Sequence, residues 1–326
     1  MSTSGGTKAV VAALLANTGI AVTKFIAFLL TGFSSMLAES IHSVADAGNQ
    51  ALLLVGGKRS KREATDEHPF GFGRERYIYA FIVAIVLFSV GGLFALYEAY
   101  HKLQELTEGH GDIVEGWKRF VSPIVLGVAI VLESLSFRTA IIETNKVRGD
   151  QSWWSFIRRA KSPELPVILL EDFAALVGLV VAFFGVGLTL ITHNAYFDVV
   201  GSAVIGLLLV SVAVILGIEV KSLLVGEAAT PQAIARIREA VSSTPGVERI
   251  IHLKTMHVAP EELLVAAKIA VPPGATAQEV ADSIDAAERA MRAAEPMATQ
   301  VFLEPDIHRD DYVPDERPEV PEAPGH

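Results

Sequence analysis

The second apolar segment of the chain carries ionisable residues that could bind a metal ion or protons. Glu39, His42 and Asp46 recur at spacings of three and four residues, which places them on one face of a helix. Imidazole nitrogen and carboxylate oxygen are ligands that suit zinc and other divalent metals. A charge at the centre of a membrane helix costs at least about 2.5–3.5 kcal/mol, so each needs a partner or a function. The pattern predicts a metal or proton site, with an internal salt bridge as the alternative.

A second acidic pair lies early in the fifth apolar segment, where Glu171 directly precedes Asp172. Adjacent helical residues point about 100° apart, so only one is expected to face a given site. We predict Asp172 as the ligand shared with the second segment. Glu171 is either a second ligand or a proton carrier, and hydration near the membrane interface is the alternative for both. Glu133 lies in the middle of the fourth segment and should be paired, with Arg138 or Lys24 as candidate partners; a packing role is favoured over a transport role.

These residues lie in a chain whose composition and pattern are those of a membrane protein. Of its 326 residues, 51% are hydrophobic and 20% are charged, whereas soluble domains are near 45–50% apolar and about 25% charged. A bilayer core about 30 Å thick requires roughly 20 apolar residues in a helix. The segments that meet this length are Thr7–Leu30, Ser35–Val55, Tyr77–Tyr100, Val121–Ile142, Leu165–Ile191 and Val199–Leu224. The sequence therefore predicts an all-α six-helix transmembrane bundle over residues 1–225.

Basic residues in the short loops predict the orientation of this bundle. The loops after the second and fourth segments hold eleven Lys and Arg residues, and the loop after the third holds three. Because cytoplasmic loops carry the excess of positive charge, both termini are expected to be cytoplasmic. No transit peptide is visible, so we expect the cytoplasmic (plasma) membrane. The basic segment 143–163, with Trp153 and Trp154, is either a short amphipathic helix on the membrane surface or an ordinary loop with aromatic anchors.

After the last apolar segment the pattern changes to that of a small α+β domain. Thr230 and Pro231 predict a helix start, and Thr276 with Glu279 has the spacing of a capping box. The strand-like runs are 247–258, 263–271 and 300–303. The order αββαβ predicts a ferredoxin-like cytoplasmic domain over residues 226–312. Residues 313–326 hold prolines among acids, which predicts a disordered tail.

Several function classes are excluded or disfavoured by what the sequence lacks. The absence of cysteine excludes disulfides and thiolate sites, and a net charge of −10 argues against a nucleic-acid binder. There is no HExxH helix, no Gly-x-Ser-x-Gly elbow and no phosphate-binding loop. We therefore predict that the chain is not an enzyme. A metalloenzyme that activates water and a non-transporting receptor or scaffold remain the rivals to a carrier, and a channel is disfavoured because no segment carries a polar pore stripe.

Taken together, these features resemble the cation diffusion facilitators over roughly residues 7–306. The resemblance rests on the HxxxD in the second segment, the acid early in the fifth, the αββαβ domain, and the run from His68 to Arg74. It also includes Gly91-Gly92 and Tyr97-Glu98 in the third segment. The Leu-Leu-Glu-Asp sequence ending at Asp172 and the Thr-Met-His stretch ending at His257 are similar to the branch containing the mitochondrial zinc exporter of animals.

The resemblance implies a function and a ligand set. Members are homodimers, joined through the cytoplasmic domain, that export divalent metal from the cytoplasm in exchange for protons and need no prosthetic group. Carried over, the central ligands are His42, Asp46 and Asp172, and His42 favours zinc over manganese. Ile168 stands where a fourth ligand is usual, so Glu171, Glu39, Asn49 or water would fill that place. Manganese, iron and cobalt stay open as alternative cargo.

The resemblance also implies that the cytoplasmic domain can bind metal at its dimer contact. The residues available for such a site are His257, Glu304, Asp306 and His308. A packed dimerisation domain with surface histidines is the alternative.

Overall fold

The computed structural model describes residues 4–31, 34–108 and 120–309, with side chains described for 10–26, 29, 43–108 and 120–309. The predicted disordered tail, residues 313–326, lies outside these ranges. The chain divides into two units, of which the first is Met1–Glu227 with His257–Glu262 and the second is Ala228–Met256 with Leu263–His326.

A helix occupies each of the six predicted apolar segments of the first unit. They are α1 (Ser4–Thr31), α2 (Ser34–Arg59), α3 (Glu75–Val86) continued by a π-helical segment (Leu87–Leu93) and α4 (Phe94–Thr107), α5 (Val121–Arg148), α7 (Glu164–Thr192) and α8 (Tyr196–Val225). Four of these, counting Glu75–Thr107 as one continuous helix, are long and apolar enough to cross a membrane; the other three are α5, α7 and α8. In α1 the apolar stretch is the shorter Val10–Ile26. A bundle of six spans therefore stays a prediction.

Close packing of the π-helical segment and α4 against α8 depends on two glycines. A Cβ atom at Gly92 would lie 2.6 Å from Cγ2 of Val210, and one at Gly206 would lie 2.7 Å from Cγ of Leu96. Both distances are shorter than real carbon contacts, so neither position has room for a side chain. Small residues at such crossings allow helices in membranes to approach closely.

A short helix, α6 (Trp153–Arg159), follows α5 in the basic segment 143–163. Ser152 caps it, since its hydroxyl accepts a hydrogen bond from the Ser155 amide at 3.2 Å. Phe156 and Ile157 are buried while Trp154 is exposed, so the helix has two different faces. The helical alternative for this segment is confirmed, and its placement on a membrane surface stays a prediction.

The described residues of the second unit follow the predicted order of elements. These are α9 (Pro231–Ser242), β1 (Arg249–Ala259), β2 (Glu262–Ala270), α10 (Ala277–Ala294) and β3 (Ala298–Asp306), with the sheet in the order β1-β2-β3. Thr230 caps α9 ahead of Pro231, and Thr276 and Glu279 form the expected capping box on α10. Strand β3 is longer than the predicted 300–303, because it pairs in parallel with β2 along nearly its whole length.

The core of the second unit forms between the helices and the sheet. Ile237 of α9, Leu263 and Ile269 of β2, and Met291 of α10 are all fully buried. Gly246, in the turn before β1, has φ +83°, and a Cβ atom there would lie 2.0 Å from Oγ of Ser283 on α10. The turn therefore needs glycine both for its left-handed backbone and for its contact with α10.

We expect Gly246→Ala to loosen the second unit more than Gly274→Ala does. Gly274 has φ +93° but nothing within 4 Å of the added carbon, so it serves as the matched control. The left-handed backbone costs each variant about 1–2 kcal/mol, and only Gly246→Ala adds the overlap with Ser283. Hydrogen exchange of α10 and β1 peptides, measured by mass spectrometry on the full chain in detergent, should be faster in Gly246→Ala. Equal exchange in the two variants would contradict the packing argument.

Candidate metal site

The two adjacent acids of α7 are buried within the protein. Glu171 is 3% exposed and Asp172 is 1% exposed, so hydration of either side chain at an interface does not describe this structure. Ile168, one turn before Asp172, is fully buried and can supply no ligand. Because uncompensated charge in an apolar interior is costly, the partners of these two carboxylates decide what they can do.

Glu171 is held by two amide side chains of α2. Asn49 Nδ2 donates a hydrogen bond to Oε1 of Glu171 at 3.0 Å, and Gln50 Nε2 donates to Oε2 at 2.9 Å. Asn17 of α1 in turn donates to Oε1 of Gln50 at 3.3 Å. Both oxygens of Glu171 are therefore engaged, and we call Asn49 and Gln50 the amide clamp. Sequence reasoning missed Gln50, although its position four residues after Asp46 on the same helix face could have indicated it.

Asp172 is held on one side only. Ser136 of α5 donates a hydrogen bond to its Oδ2 at 2.8 Å. Its Oδ1 is buried and, within the described part of the chain, has no hydrogen-bond partner. Buried polar oxygens in proteins are nearly always satisfied, so an atom of this kind calls for an explanation. This oxygen is free to accept a proton or to bind a cation.

A small cavity of about 60 Å³ is lined by Asp46, Lys24 and Glu133, and on α7 by Ala174, two residues after Asp172. Asp46 is half-buried and interacts electrostatically with Glu133, Glu171 and Asp172. Lys24 is only 3% exposed, and its Nζ donates to Oγ of Ser43 at 3.0 Å. Of the two predicted partners of Glu133, Lys24 shares its cavity, whereas Arg138 is exposed.

The remaining predicted residues of the second segment lie outside the described side chains. The backbone of Glu39 and His42 belongs to α2, and nothing is described of either side chain. Asn49, which was open as a substitute ligand, has its Oδ1 buried and without a partner among the described atoms. No set of three His, Asp or Glu side chains is in a metal-binding arrangement among those described. The full ligand set therefore stays a prediction.

The acids predicted for a metal site in the second unit contact a lysine. Lys268 Nζ lies 3.0 Å from Oε1 of Glu304 and 2.9 Å from Oδ2 of Asp306. The hydrogen bonds with Asp306 and Glu304 raise the pKa of Lys268, and the bond from Lys268 lowers the pKa of Asp306. His308 Nε2 lies 2.9 Å from Nη1 of Arg249.

His257 is buried and belongs to His257–Glu262, the segment at the end of β1 that is part of the first unit. Its Nδ1 lies 3.4 Å from the carbonyl oxygen of Ala259, and its backbone N–H donates to the carbonyl of Glu227 at 2.8 Å. A tail metal site built from His257, Glu304, Asp306 and His308 stays a prediction.

Comparison with known families covers both parts of the chain. Residues 10–225 match the cation efflux transmembrane domain, and residues 229–306 match the cation efflux protein cytoplasmic domain.

Curated relatives carry related descriptions. The proton-coupled zinc antiporter SLC30A9, mitochondrial, of Xenopus laevis is 33% identical over 258 residues, which is 78% of this chain and 44% of that protein. The protein of the same description from Homo sapiens is 32% identical, over 71% of this chain and 40% of that protein. Metal tolerance protein C4 of Arabidopsis thaliana is 27% identical, over 80% of this chain and 56% of that protein. The chain thus spans about half or less of the length of these relatives.

Among solved structures, a nickel form of the MamM CTD is 21% identical to this chain, with a TM-score of 0.24. The alignment covers 24% of this chain and 100% of that chain. The two family matches together span nearly the whole described sequence, and the first of them covers more than half of the chain. The chain therefore belongs to the cation efflux family, the cation diffusion facilitators.

Proposed function

We propose that this protein exports a divalent metal ion, zinc foremost, from the cytoplasm in exchange for protons by alternating access. The observation that carries the proposal is Asp172, a buried carboxylate with one oxygen unpartnered among the described atoms, within electrostatic reach of Asp46. Relatives described as proton-coupled zinc antiporters support the choice of cargo and of counter-ion.

Exchange of metal for protons follows from the chemistry of carboxylates in an apolar bundle. Asp46 and Asp172 must be neutralised there, and either a divalent cation or protons can do so. Because metal ligands must be deprotonated, the two kinds of cation compete for the same oxygens. His42 would complete a zinc-preferring set, and its ordinary pKa lies in the working range of pH. Opening of the site to either side in turn then couples the two fluxes.

Glu171 is proposed as an anchor rather than as a ligand or a proton carrier. Both of its oxygens accept hydrogen bonds from the amide clamp. A carboxylate held at both oxygens in this way has a fixed position. We propose that it fixes α7 against α2 and thereby sets the distance between Asp172 and Asp46.

For the membrane topology, the location and the dimer, we propose what the sequence predicts. Residues 1–225 would form six spans in the cytoplasmic membrane, with both termini cytoplasmic. Residues 226–312 would form the homodimer contact, which agrees with the cytoplasmic-domain family match over 229–306. The partners are then lipid, the transported ion, protons and a second copy of the chain, with no nucleic acid and no prosthetic group.

Zinc uptake into proteoliposomes loaded with a pH-sensitive dye tests the proposal. We expect wild type to show zinc entry matched by opposite proton movement, and Asp46→Ala and Asp172→Asn to fall to the rate of empty liposomes, because each loses a charged ligand. Asp198→Asn is the matched control, since Asp198 lies in the first turn of α8 and bonds to Lys102 at 3.3 Å. It should keep most of the wild-type flux.

Two outcomes of this assay would count against the antiporter. Wild-type flux in Asp46→Ala and Asp172→Asn would contradict the assignment of these residues to the site. Binding of zinc, manganese, cobalt and iron without flux of any of them would favour the receptor or scaffold, with Ile168 as the reason.

The amide clamp predicts a rescue by exchange of partners. With Asn49 and Gln50 in their present orientations, Glu171→Gln places an NH2 group opposite the NH2 group of one of them and should cost about 1–3 kcal/mol of stability. The double variant Gln50→Glu/Glu171→Gln restores a carboxylate that accepts and an amide that donates, so it should recover most of the loss. Thermal unfolding of the detergent-solubilised chain measures all three proteins. A double variant no more stable than Glu171→Gln would contradict the exchange of partners.

A further inference from the structure

We infer that Lys24 is a built-in counter-cation of the metal site. Its ammonium group neutralises the acidic cavity when no metal is bound, and its repulsion weakens the binding of the divalent ion so that the ion can leave. This inference rests on the proposed function, and it assigns to α1 a part in setting metal affinity.

The position of Lys24 is fixed by a polar ladder between α1 and α2. Asn17 donates to Gln50 at 3.3 Å and Lys24 donates to Ser43 at 3.0 Å. The two rungs are seven residues apart on both helices, which is two turns, so they lie on one stripe of each helix. Asp46 lies between Ser43 and Gln50 on α2. The ladder therefore holds the lysine beside the predicted ligand helix.

The burial of Lys24 shows that it belongs to the interior of the bundle. Lysines near the ends of membrane helices usually extend their ammonium groups to the interface. Lys24 is instead 3% exposed and lines the same cavity as Asp46 and Glu133. A buried ammonium group is stable only beside compensating charge, and Glu133, which is 2% exposed, interacts electrostatically with it.

The cavity is large enough for the transported ion, but it is too small to screen the ion from the charge of Lys24. Its volume of about 60 Å³ could hold a divalent ion with a few waters. A few water molecules screen electrostatic interactions poorly, so a fixed positive charge on the cavity wall repels the ion strongly. An acidic pocket without such a charge would bind zinc more tightly and release it more slowly.

Lys24→Met keeps an unbranched side chain of nearly the same length and removes its charge, so it tests the inference directly. Using the full chain in detergent and Zn²⁺ titrated in competition with a chromophoric chelator, we expect the Kd to fall at least tenfold. In the liposome assay both KM and kcat should fall, because tighter binding slows release. Lys24→Arg should stay near wild type. Lys102→Met, which removes a lysine that bonds to Asp198, is the matched control and should leave the Kd unchanged.

A second pair of variants separates charge balance from simple damage. Glu133→Gln leaves Lys24 with less compensation and should raise the Kd about tenfold, while Lys24→Met/Glu133→Gln should return it towards the wild-type value. A protein that has merely lost packing would show no such return. This pair also tests the inference if Lys24→Met alone fails to fold.

The outcomes also distinguish this inference from the proposal beneath it. An unchanged or weaker Zn²⁺ affinity in well-folded Lys24→Met, with normal binding in wild type, overturns the role of Lys24 alone. Wild type that binds no Zn²⁺, Mn²⁺, Co²⁺ or Fe²⁺ overturns the proposed function, and the role of Lys24 with it.

Discussion

The structure of the first unit depends on keeping carboxylates inside an apolar helical bundle. Each such group is costly unless hydrogen bonds or opposite charge compensate it. Glu171 is compensated by two amides of α2, Asp172 by the Ser136 hydroxyl, and Glu133 by the charge of Lys24. These partners come from α1, α2 and α5, so the need to satisfy the acids determines which helices must pack against one another. Among the described atoms Oδ1 of Asp172 is buried without a hydrogen-bond partner, which is where chemistry with an outside cation becomes possible.

The second unit is stabilised by a different set of interactions. Thr230 and Thr276 cap the starts of its helices, and its core is formed by apolar side chains such as Ile237 and Met291. Its acids at the end of β3 contact Lys268, which balances their charge at the surface. Water supplies the driving force there, whereas inside a bilayer close packing and polar contacts between helices must do so. The second unit therefore relies on the hydrophobic effect, and the first on close packing and polar contacts between its helices.

The sequence predicts elements well where the cause is local. Apolar length indicated the six helical segments, and Thr230 and Thr276 marked the starts of α9 and α10. Ser136 could not be found, because bonds between helices depend on how each helix is rotated, which hydropathy does not encode. Gln50 did offer a signal, its place on the helix face of Asp46, but the sequence could not name Glu171 as its partner. Strand β3 was too short in the prediction for a related reason, since its full extent comes from pairing with β2. His42 and Glu39, whose side chains are not described, keep their predicted roles as predictions.

The adjacency of Glu171 and Asp172 restricts how the bundle can move. Their side chains leave successive positions of one helix, so α7 cannot turn about its axis to redirect Asp172 without withdrawing Glu171 from Asn49 and Gln50. While those bonds hold, Glu171 links α7 to α2 close to Asp46 and Asp172. In the proposed carrier, access to the ion would then change by displacement of the surrounding helices against this pair. In the proposed carrier, the distance between Asp46 and Asp172 would thereby be preserved through the transport cycle.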